Sequence, residues 1–179
     1  MRNDVIEPIE RAVKDDRVTG LAAVLEQLNA AGTFEDPSLF SPPLDEHYAR
    51  KPLWQDPAGK FVIVCMTWAP GQGTPLHDHG GLWGAEVVVS GTMHERAYRA
   101  IERDGERRMR FVHEGDIERV RRSVGILVPP YEYHAYRNAG TTVSHTVHVY
   151  AGTLETCTTY EREAGDWWTA QRGVLRYDR

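Results

Sequence analysis

The sequence has little cysteine, no cluster of positive charge and no long apolar run. Two cysteines in 179 residues are too few for a secreted disulfide framework, so we expect two reduced thiols. A net charge of −5 with scattered arginines argues against a nucleic-acid partner. No stretch has the length of a membrane span, and the first residues lack a secretory signal pattern. We therefore predict a soluble, cytoplasmic protein that binds neither nucleic acid nor membrane.

The hydrophobic periodicity changes once along the chain. Before Gly32, apolar residues recur at steps of three and four, which predicts two short amphipathic helices. The prolines between 33 and 57 favour an irregular, wrapping segment. After Gly59, short β-rich runs alternate with turn signals at glycines 91, 105, 115 and 140. The predicted strands cover roughly 61–68, 83–90, 92–100, 108–113, 124–128, 132–137, 143–151 and 156–162.

This pattern predicts a single all-β domain, 1–179, folded as a jelly-roll β-barrel with short N-terminal helices. Residues 1–58 form its helical and wrapping segment, 59–162 its barrel, and 163–179 a C-terminal tail that packs over a sheet.

Three histidines have the spacing of a metal site. His77 and His79 alternate along an extended segment, so their imidazoles project to one face while Asp78 points away. His134 lies in another predicted strand, beyond a proline pair. An isolated pair of alternating histidines could equally be an exposed polar face. The third histidine in the same barrel favours a metal, because imidazole is a common ligand of transition metals.

The spacing around these histidines resembles the paired motifs of the cupin superfamily. The first motif reads Gly71-x5-His77-x-His79-x4-Gly84-x6-Gly91, and the second includes Pro129, Tyr131, His134 and Asn138. Gly84 stands where cupins usually carry a glutamate ligand, and Tyr131 where the second motif has glycine. Three imidazoles without a carboxylate resemble the cysteine dioxygenase family of thiol dioxygenases, in its bacterial form. The resemblance covers about 45 to 160 and extends to Tyr48-Ala49-Arg50, Trp68-Ala69-Pro70-Gly71, Thr146 to Tyr150 and Cys157.

The resemblance implies a non-haem iron(II) enzyme that adds both atoms of O₂ to a thiolate. L-cysteine would become cysteine sulfinic acid, with His77, His79 and His134 as metal ligands. Arginine holds carboxylates through two parallel hydrogen bonds, so Arg50, with Tyr48 beside it, is the expected substrate anchor.

Three alternating residues of one strand complete the expected site. The resemblance implies that the Tyr150 hydroxyl approaches substrate and oxygen, oriented by His148, with Thr146 in the place of a serine. In the animal enzymes the Gly84 position is a cysteine linked to this tyrosine, so we expect Tyr150 to be an unmodified phenol. Glu86 has the same strand parity as Gly84, but two residues of strand displace a carboxylate by roughly 6.6 Å, too far for a ligand.

Several alternatives stay open at this point. The substrate could be 3-mercaptopropionate or another small thiol-acid instead of cysteine. The protein could also be a non-redox cupin, either a zinc or manganese enzyme or a small-ligand sensor, because imidazole ligands do not select iron by affinity. A monomer is compatible with the sequence, which indicates neither oligomeric state nor pathway.

Overall fold

The computed structural model describes residues 3–15, 17–130 and 132–178, so Tyr131 of the second motif lies outside the described residues. Its helices are α1 (Asn3–Lys14) and α2 (Val18–Ala30), and a short 3-10 turn follows at Pro37–Leu39. The strands are β1 (Ala49–Gln55), β2 (Val62–Trp68), β3 (Leu76–His77), β4 (Gly84–Ser90), β5 (Thr92–Asp104), β6 (Arg108–Val120), β7 (Val124–Leu127), β8 (Tyr133–Asn138), β9 (Ser144–Tyr150), β10 (Thr156–Arg162) and β11 (Trp167–Val174). Within these ranges, no helix has the length and apolarity needed to cross a bilayer.

The two predicted helices are confirmed, and they cover the outside of one sheet. Their buried residues recur at steps of three and four, and Leu21 and Leu25 have no exposed surface. The chain leaves α2 through Gly32, whose φ of 74° suits the left-handed turn that ends many helices. Val87 and Val149 belong to the core cluster that the helices complete.

Two antiparallel sheets form the body of the protein, as the predicted all-β jelly-roll requires. One has the strand order β1-β2-β9-β4-β7, and the other closes as a ring, β10-β11-β6-β5-β8-β3. The central strand β2 is buried on both faces, which explains its continuous apolar run. Ile63 and Cys65 pack in the helix-covered core, whereas Val62 and Val64 belong to the core of the barrel interior.

The prediction of irregular chain between 33 and 57 is wrong at its end, because β1 occupies Ala49–Gln55. β1 pairs with β2 at the sheet edge, and its register slips between Pro52 and Trp54. A proline lacks a backbone N–H, which an edge strand with a bulge tolerates. This strand carries Arg50 into the barrel interior, where the residue is 5% exposed.

The barrel also extends past the predicted boundary at 162. The segment expected to be a packing tail forms β11, which pairs with β10 on one side and β6 on the other. Gly115, predicted to end a strand, lies inside β6 opposite Ala97, where the register shifts by a bulge. The strands therefore run from Ala49 to Val174.

Candidate metal centre and substrate cavity

The three predicted ligand histidines meet in the barrel. β3 ends at His77, which pairs across the sheet with His134 on β8, and His79 lies just after the strand in the segment expected to be extended. The ring centroids are 4.8 Å apart for His77 and His79, 4.8 Å for His77 and His134, and 5.0 Å for His79 and His134. One ring nitrogen from each lies within 4.8 Å of the others. This spacing suits a single metal ion.

Asp78 points away from the histidines, as predicted, and fixes the loop that carries them. Its carboxylate accepts hydrogen bonds from the Thr158 backbone at 2.8 Å, the Gly80 backbone at 3.1 Å and the Tyr160 hydroxyl at 3.0 Å. Because these partners bind both oxygens, the short segment between His77 and His79 is held against β10.

Hydrogen bonds to the outer ring nitrogens orient two of the imidazoles. The Nδ1 of His77 lies 3.0 Å from the Pro75 carbonyl, and the Nδ1 of His134 lies 3.1 Å from Glu95 Oε1. Each of these rings therefore presents Nε2 to the centre of the cluster. Glu95 is in turn paired with Arg119 on β6, which gives the His134 partner a fixed position.

Two of the histidines, His77 and His79, are held neutral at neutral pH. Burial, together with the neighbouring His134, lowers the pKa of His77 to about 3. Burial and the adjacent imidazoles hold the pKa of His79 well below its ordinary value. Neutral imidazoles are the form that binds metal, so the donor set fits a divalent transition-metal ion. Among the described residues, no carboxylate belongs to this cluster.

The structure explains why Gly84 replaces the usual glutamate. A Cβ atom at this position would lie 2.4 Å from the Val149 carbonyl oxygen and 3.2 Å from the Tyr150 ring. No side chain fits there without movement of the β9 backbone, so neither a carboxylate ligand nor a thioether partner for Tyr150 can occupy it.

Thr146, His148 and Tyr150 alternate along β9 and form the expected hydrogen-bonded chain. Thr146 Oγ1 lies 2.8 Å from His148 Nε2, and the Tyr150 hydroxyl lies 3.2 Å from His148 Nδ1. The indole of Trp68 donates to Thr146 Oγ1 at 2.9 Å. Tyr150 also stacks beside His79, with ring centroids 5.6 Å apart, so the chain reaches the histidine cluster.

A cavity of about 110 Å³ joins the histidines to this chain and to the expected substrate anchor. Arg50 and Tyr48 both line it, and Tyr48 stacks on Trp68 with centroids 4.1 Å apart. Arg50 Nη1 donates to the Arg176 carbonyl at 3.2 Å, and the guanidinium lies 5.4 Å from the centre of the Tyr177 ring. The C-terminal residues thus complete the wall behind Arg50.

Three charged residues lie behind the histidines: Glu95 and Arg119 were not expected from the sequence, and Glu86 was considered only as a displaced metal ligand. Glu86 is 1% exposed and Glu95 is 7% exposed, and both carboxylates face Arg119. Glu86 offered a signal, because it is the only ionisable residue in the apolar run of β4. Glu95 and Arg119 offered none, since their contacts depend on the register of β5 with β6.

The fold and the histidine cluster define a metal-binding jelly-roll of the cupin type. Three solved structures resemble the chain at low identity. The Thermus thermophilus protein TT1209 is 18% identical and has a TM-score of 0.48, over 65% of this chain and 94% of its own. The Schizosaccharomyces pombe Cnp3 cupin domain is 13% identical, with a TM-score of 0.47, over 63% of this chain and 66% of its own. A double-stranded β-helix protein from Klebsiella pneumoniae is 18% identical, with a TM-score of 0.49, over 64% and 80% respectively.

The sequence model of the family described as cysteine dioxygenase type I matches residues 35–163. The match spans most of the chain and includes the three histidines, Arg50 and the β9 residues. The protein therefore belongs to the cysteine dioxygenase family of the cupin superfamily, and its class is that of a thiol dioxygenase-type oxidoreductase.

Proposed function

We propose that this protein is an iron(II) thiol dioxygenase that converts L-cysteine and O₂ into cysteine sulfinic acid. In this proposal His77, His79 and His134 hold the iron, and Arg50 and Tyr48 bind the substrate. Tyr150, His148 and Thr146 assist the reaction. Cytoplasmic residence is part of the same proposal, supported by two buried thiols that form no disulfide.

The state of Arg50 is the observation that carries the substrate assignment. Arg50 is buried, and its guanidinium forms no ion pair with a carboxylate of the described residues, although its backbone N–H donates to the Asp178 carboxylate at 2.8 Å. Burial of a guanidinium without an ion pair is unfavourable, so a ligand carboxylate that pairs with Arg50 in the cavity would be stabilised. Among the described residues that line the cavity, Arg50 is the only arginine or lysine.

The cavity volume and the donor set favour a small thiol. A cavity of about 110 Å³ is smaller than the roughly 300–1,000 Å³ of sites for drug-sized ligands, so it favours a small ligand. Bound iron(II) would supply redox chemistry for O₂ and the positive charge that lowers the pKa of a coordinated thiol. Three imidazole ligands leave open positions for a chelating amine and thiolate, which cysteine provides at the spacing of one carbon–carbon bond.

The protein side chains place and protect the reacting groups. Arg50 would hold the substrate carboxylate through its planar fork, which fixes the direction of the thiol. The Tyr150 hydroxyl would donate a hydrogen bond to the oxygen being transferred, and burial raises the pKa of this phenol so that it stays protonated. Both oxygen atoms end on sulfur, so the electrons that O₂ takes up come from the thiolate and no other reductant is needed.

Metal analysis and oxygen consumption together test the proposal. Protein purified without added metal is analysed for iron, zinc and manganese, then loaded anaerobically with iron(II) and given cysteine, 3-mercaptopropionate or cysteamine. We expect oxygen uptake that is fastest with cysteine and equal in amount to the sulfinic acid formed. Faster oxygen uptake with 3-mercaptopropionate would indicate that the substrate is a thiol-acid without an amine and not cysteine. A zinc-filled protein that consumes no oxygen with any thiol, even after iron loading, would instead indicate a non-redox cupin.

A further inference from the structure

Glu86 places a buried negative charge beside the chain that ends at Tyr150. Its Oε2 lies 3.1 Å from His148 Nδ1, and Arg119 Nε lies 4.0 Å from its Oε1. The Tyr136 hydroxyl faces the same carboxylate. Burial raises the pKa of Glu86, but His148, His134 and Arg119 outweigh it and lower the pKa to about 2. The lowered pKa favours the anionic form of this buried carboxylate.

An anion at this distance decides which nitrogen of His148 carries hydrogen. A carboxylate oxygen repels the lone pair of an unprotonated nitrogen and attracts an N–H, even where the N–H is not aimed straight at it. With Glu86 3.1 Å from Nδ1, the form with a bare Nδ1 is disfavoured. Neither oxygen of Glu86 has a hydrogen-bond partner among the described residues, so the contact acts through charge, and it favours hydrogen on Nδ1 in the neutral ring and in the cationic ring alike.

The other side of the ring agrees with this assignment. Trp68 Nε1 can only donate, so Thr146 Oγ1 accepts its hydrogen bond at 2.9 Å. The hydroxyl hydrogen of Thr146 is then available for His148 Nε2, which lies 2.8 Å away. A neutral His148 that accepts at Nε2 must carry its hydrogen on Nδ1.

The tautomer determines what Tyr150 can do. The Tyr150 hydroxyl lies 3.2 Å from His148 Nδ1, so only one of the two groups can donate across that contact. If Nδ1 carries hydrogen, the Tyr150 oxygen accepts and its own hydrogen turns towards the cavity shared with His79 and Arg50. If Nδ1 carried no hydrogen, the Tyr150 hydroxyl would donate its hydrogen to His148 Nδ1 and could not donate into the cavity.

We propose that Glu86 is a positioning residue that keeps hydrogen on His148 Nδ1, so that the Tyr150 hydroxyl is free to donate into the substrate cavity. The use of that hydrogen on bound oxygen or substrate rests on the proposed function. The tautomer itself does not, because it follows from Glu86, Trp68 and Thr146 alone.

Nitrogen-15 NMR of the histidine rings tests the tautomer without turnover. Protein labelled at histidine is studied metal-free and loaded with zinc, and long-range proton–nitrogen correlations distinguish protonated from bare ring nitrogens. The His148 signals are assigned by their loss in His148→Asn. We expect hydrogen on Nδ1 in the unmodified protein. A bare Nδ1 would overturn the proposal at once.

Two variants identify the residue that sets the tautomer. In Glu86→Gln, Arg119 attracts the amide oxygen, so the amide NH₂ faces Nδ1 and hydrogen should move to Nε2. In Tyr150→Phe, Glu86 remains and the hydrogen should stay on Nδ1. A tautomer that changes with Tyr150→Phe and not with Glu86→Gln refutes the proposal. If Glu86→Gln does not fold, the unmodified protein and Tyr150→Phe still decide between these outcomes.

Activity provides a separate readout. With iron and cysteine, Glu86→Gln should lower kcat by about 10²-fold while KM stays unchanged, because a donor to the transferred oxygen is lost and Arg50 is untouched. Absence of turnover in every form would count against the proposed function and leave the NMR result standing. Normal kcat in a Glu86→Gln protein with a shifted tautomer would remove the link between Tyr150 and catalysis.

Discussion

Replacing Arg50 by alanine removes the group that we expect to bind the substrate carboxylate. Arg50 is 5% exposed, and its guanidinium donates to the Arg176 carbonyl and has no ion pair with a carboxylate of the described residues. A substrate carboxylate would therefore form the ion pair that the guanidinium lacks. Removal of Arg50 should lower kcat/KM specifically for cysteine. The metal cluster should be unaffected, because no imidazole of the cluster is hydrogen-bonded to Arg50.

The magnitude follows from the kind of contact. A hydrogen bond to a charged group contributes about 1.5–3 kcal/mol, and a bidentate pair inside a dry cavity lies at the upper end. A loss of about 3 kcal/mol corresponds to roughly a 100-fold lower kcat/KM for cysteine. Arg50→Lys keeps the charge but loses the planar fork, so we expect a smaller loss of about 10-fold.

Cysteamine provides the matched substrate, because it has the thiol and the amine of cysteine without the carboxylate. Its slow oxidation should be the same in the unmodified protein and in Arg50→Ala. Arg176→Ala is the matched control variant, since it keeps the backbone carbonyl that accepts from Arg50 and removes only an exposed side chain. Oxygen uptake is measured at equal iron content. Equal losses for cysteine and cysteamine, or full cysteine activity in Arg50→Ala, would refute the anchor role.

Two further predictions concern the stability of the site. Gly84→Ala should destabilise the protein by about 1–3 kcal/mol, because the new Cβ would lie 2.4 Å from the Val149 carbonyl oxygen. Gly115→Ala is the control, since nothing lies within 4 Å of its Cβ, and it should change the free energy of unfolding by less than about 0.5 kcal/mol. Urea titration measures both. The free energy of unfolding of the metal-free protein should fall as pH drops from about 6.5 towards 3. Over this range His77 and His79 are protonated in the unfolded chain but stay neutral in the folded protein, because their folded-state pKa values are lowered. The free energy of unfolding should fall by up to about 1.4 kcal/mol per pH unit for each buried ring. His79→Asn should make the free energy of unfolding less dependent on pH. An unchanged pH dependence in this variant would contradict the lowered pKa of His79.

The parts of the fold that the sequence predicts are those with local signals. Apolar steps of three and four predict the helices, and β-branched runs between glycine turns predict most strands of the barrel. β1 escaped because its prolines suggested irregular chain, although an edge strand tolerates Pro52 at a bulge. β11 was not predicted from the sequence, because its pairing with β10 and β6 depends on contacts distant in sequence. Gly115 suggested a turn but lies at a bulge inside β6.

The candidate site divides along the same line. Alternation along one strand brings His148 between Thr146 and Tyr150, and the sequence predicts that row directly. The spacing of three histidines in one barrel predicted that they meet, and the resemblance supported it, but the cross-strand register that pairs His77 with His134 is not readable locally. Glu95 and Arg119 carried no signal at all, since their positions are set by the bulges of the β5–β6 hairpin.

The buried charges behind the histidines indicate what the barrel is built to hold. Arg119 lies between the carboxylates of Glu86 and Glu95, so this group has one negative charge more than Arg119 neutralises. Glu95 contacts His134 of the histidine cluster, and Glu86 contacts His148 in the neighbouring β9 chain. Such an arrangement is unfavourable in an apolar interior unless a cation lies nearby. A divalent metal ion bound by the three imidazoles would provide that cation, and Arg50 across the cavity would then offset the carboxylate of an anionic substrate.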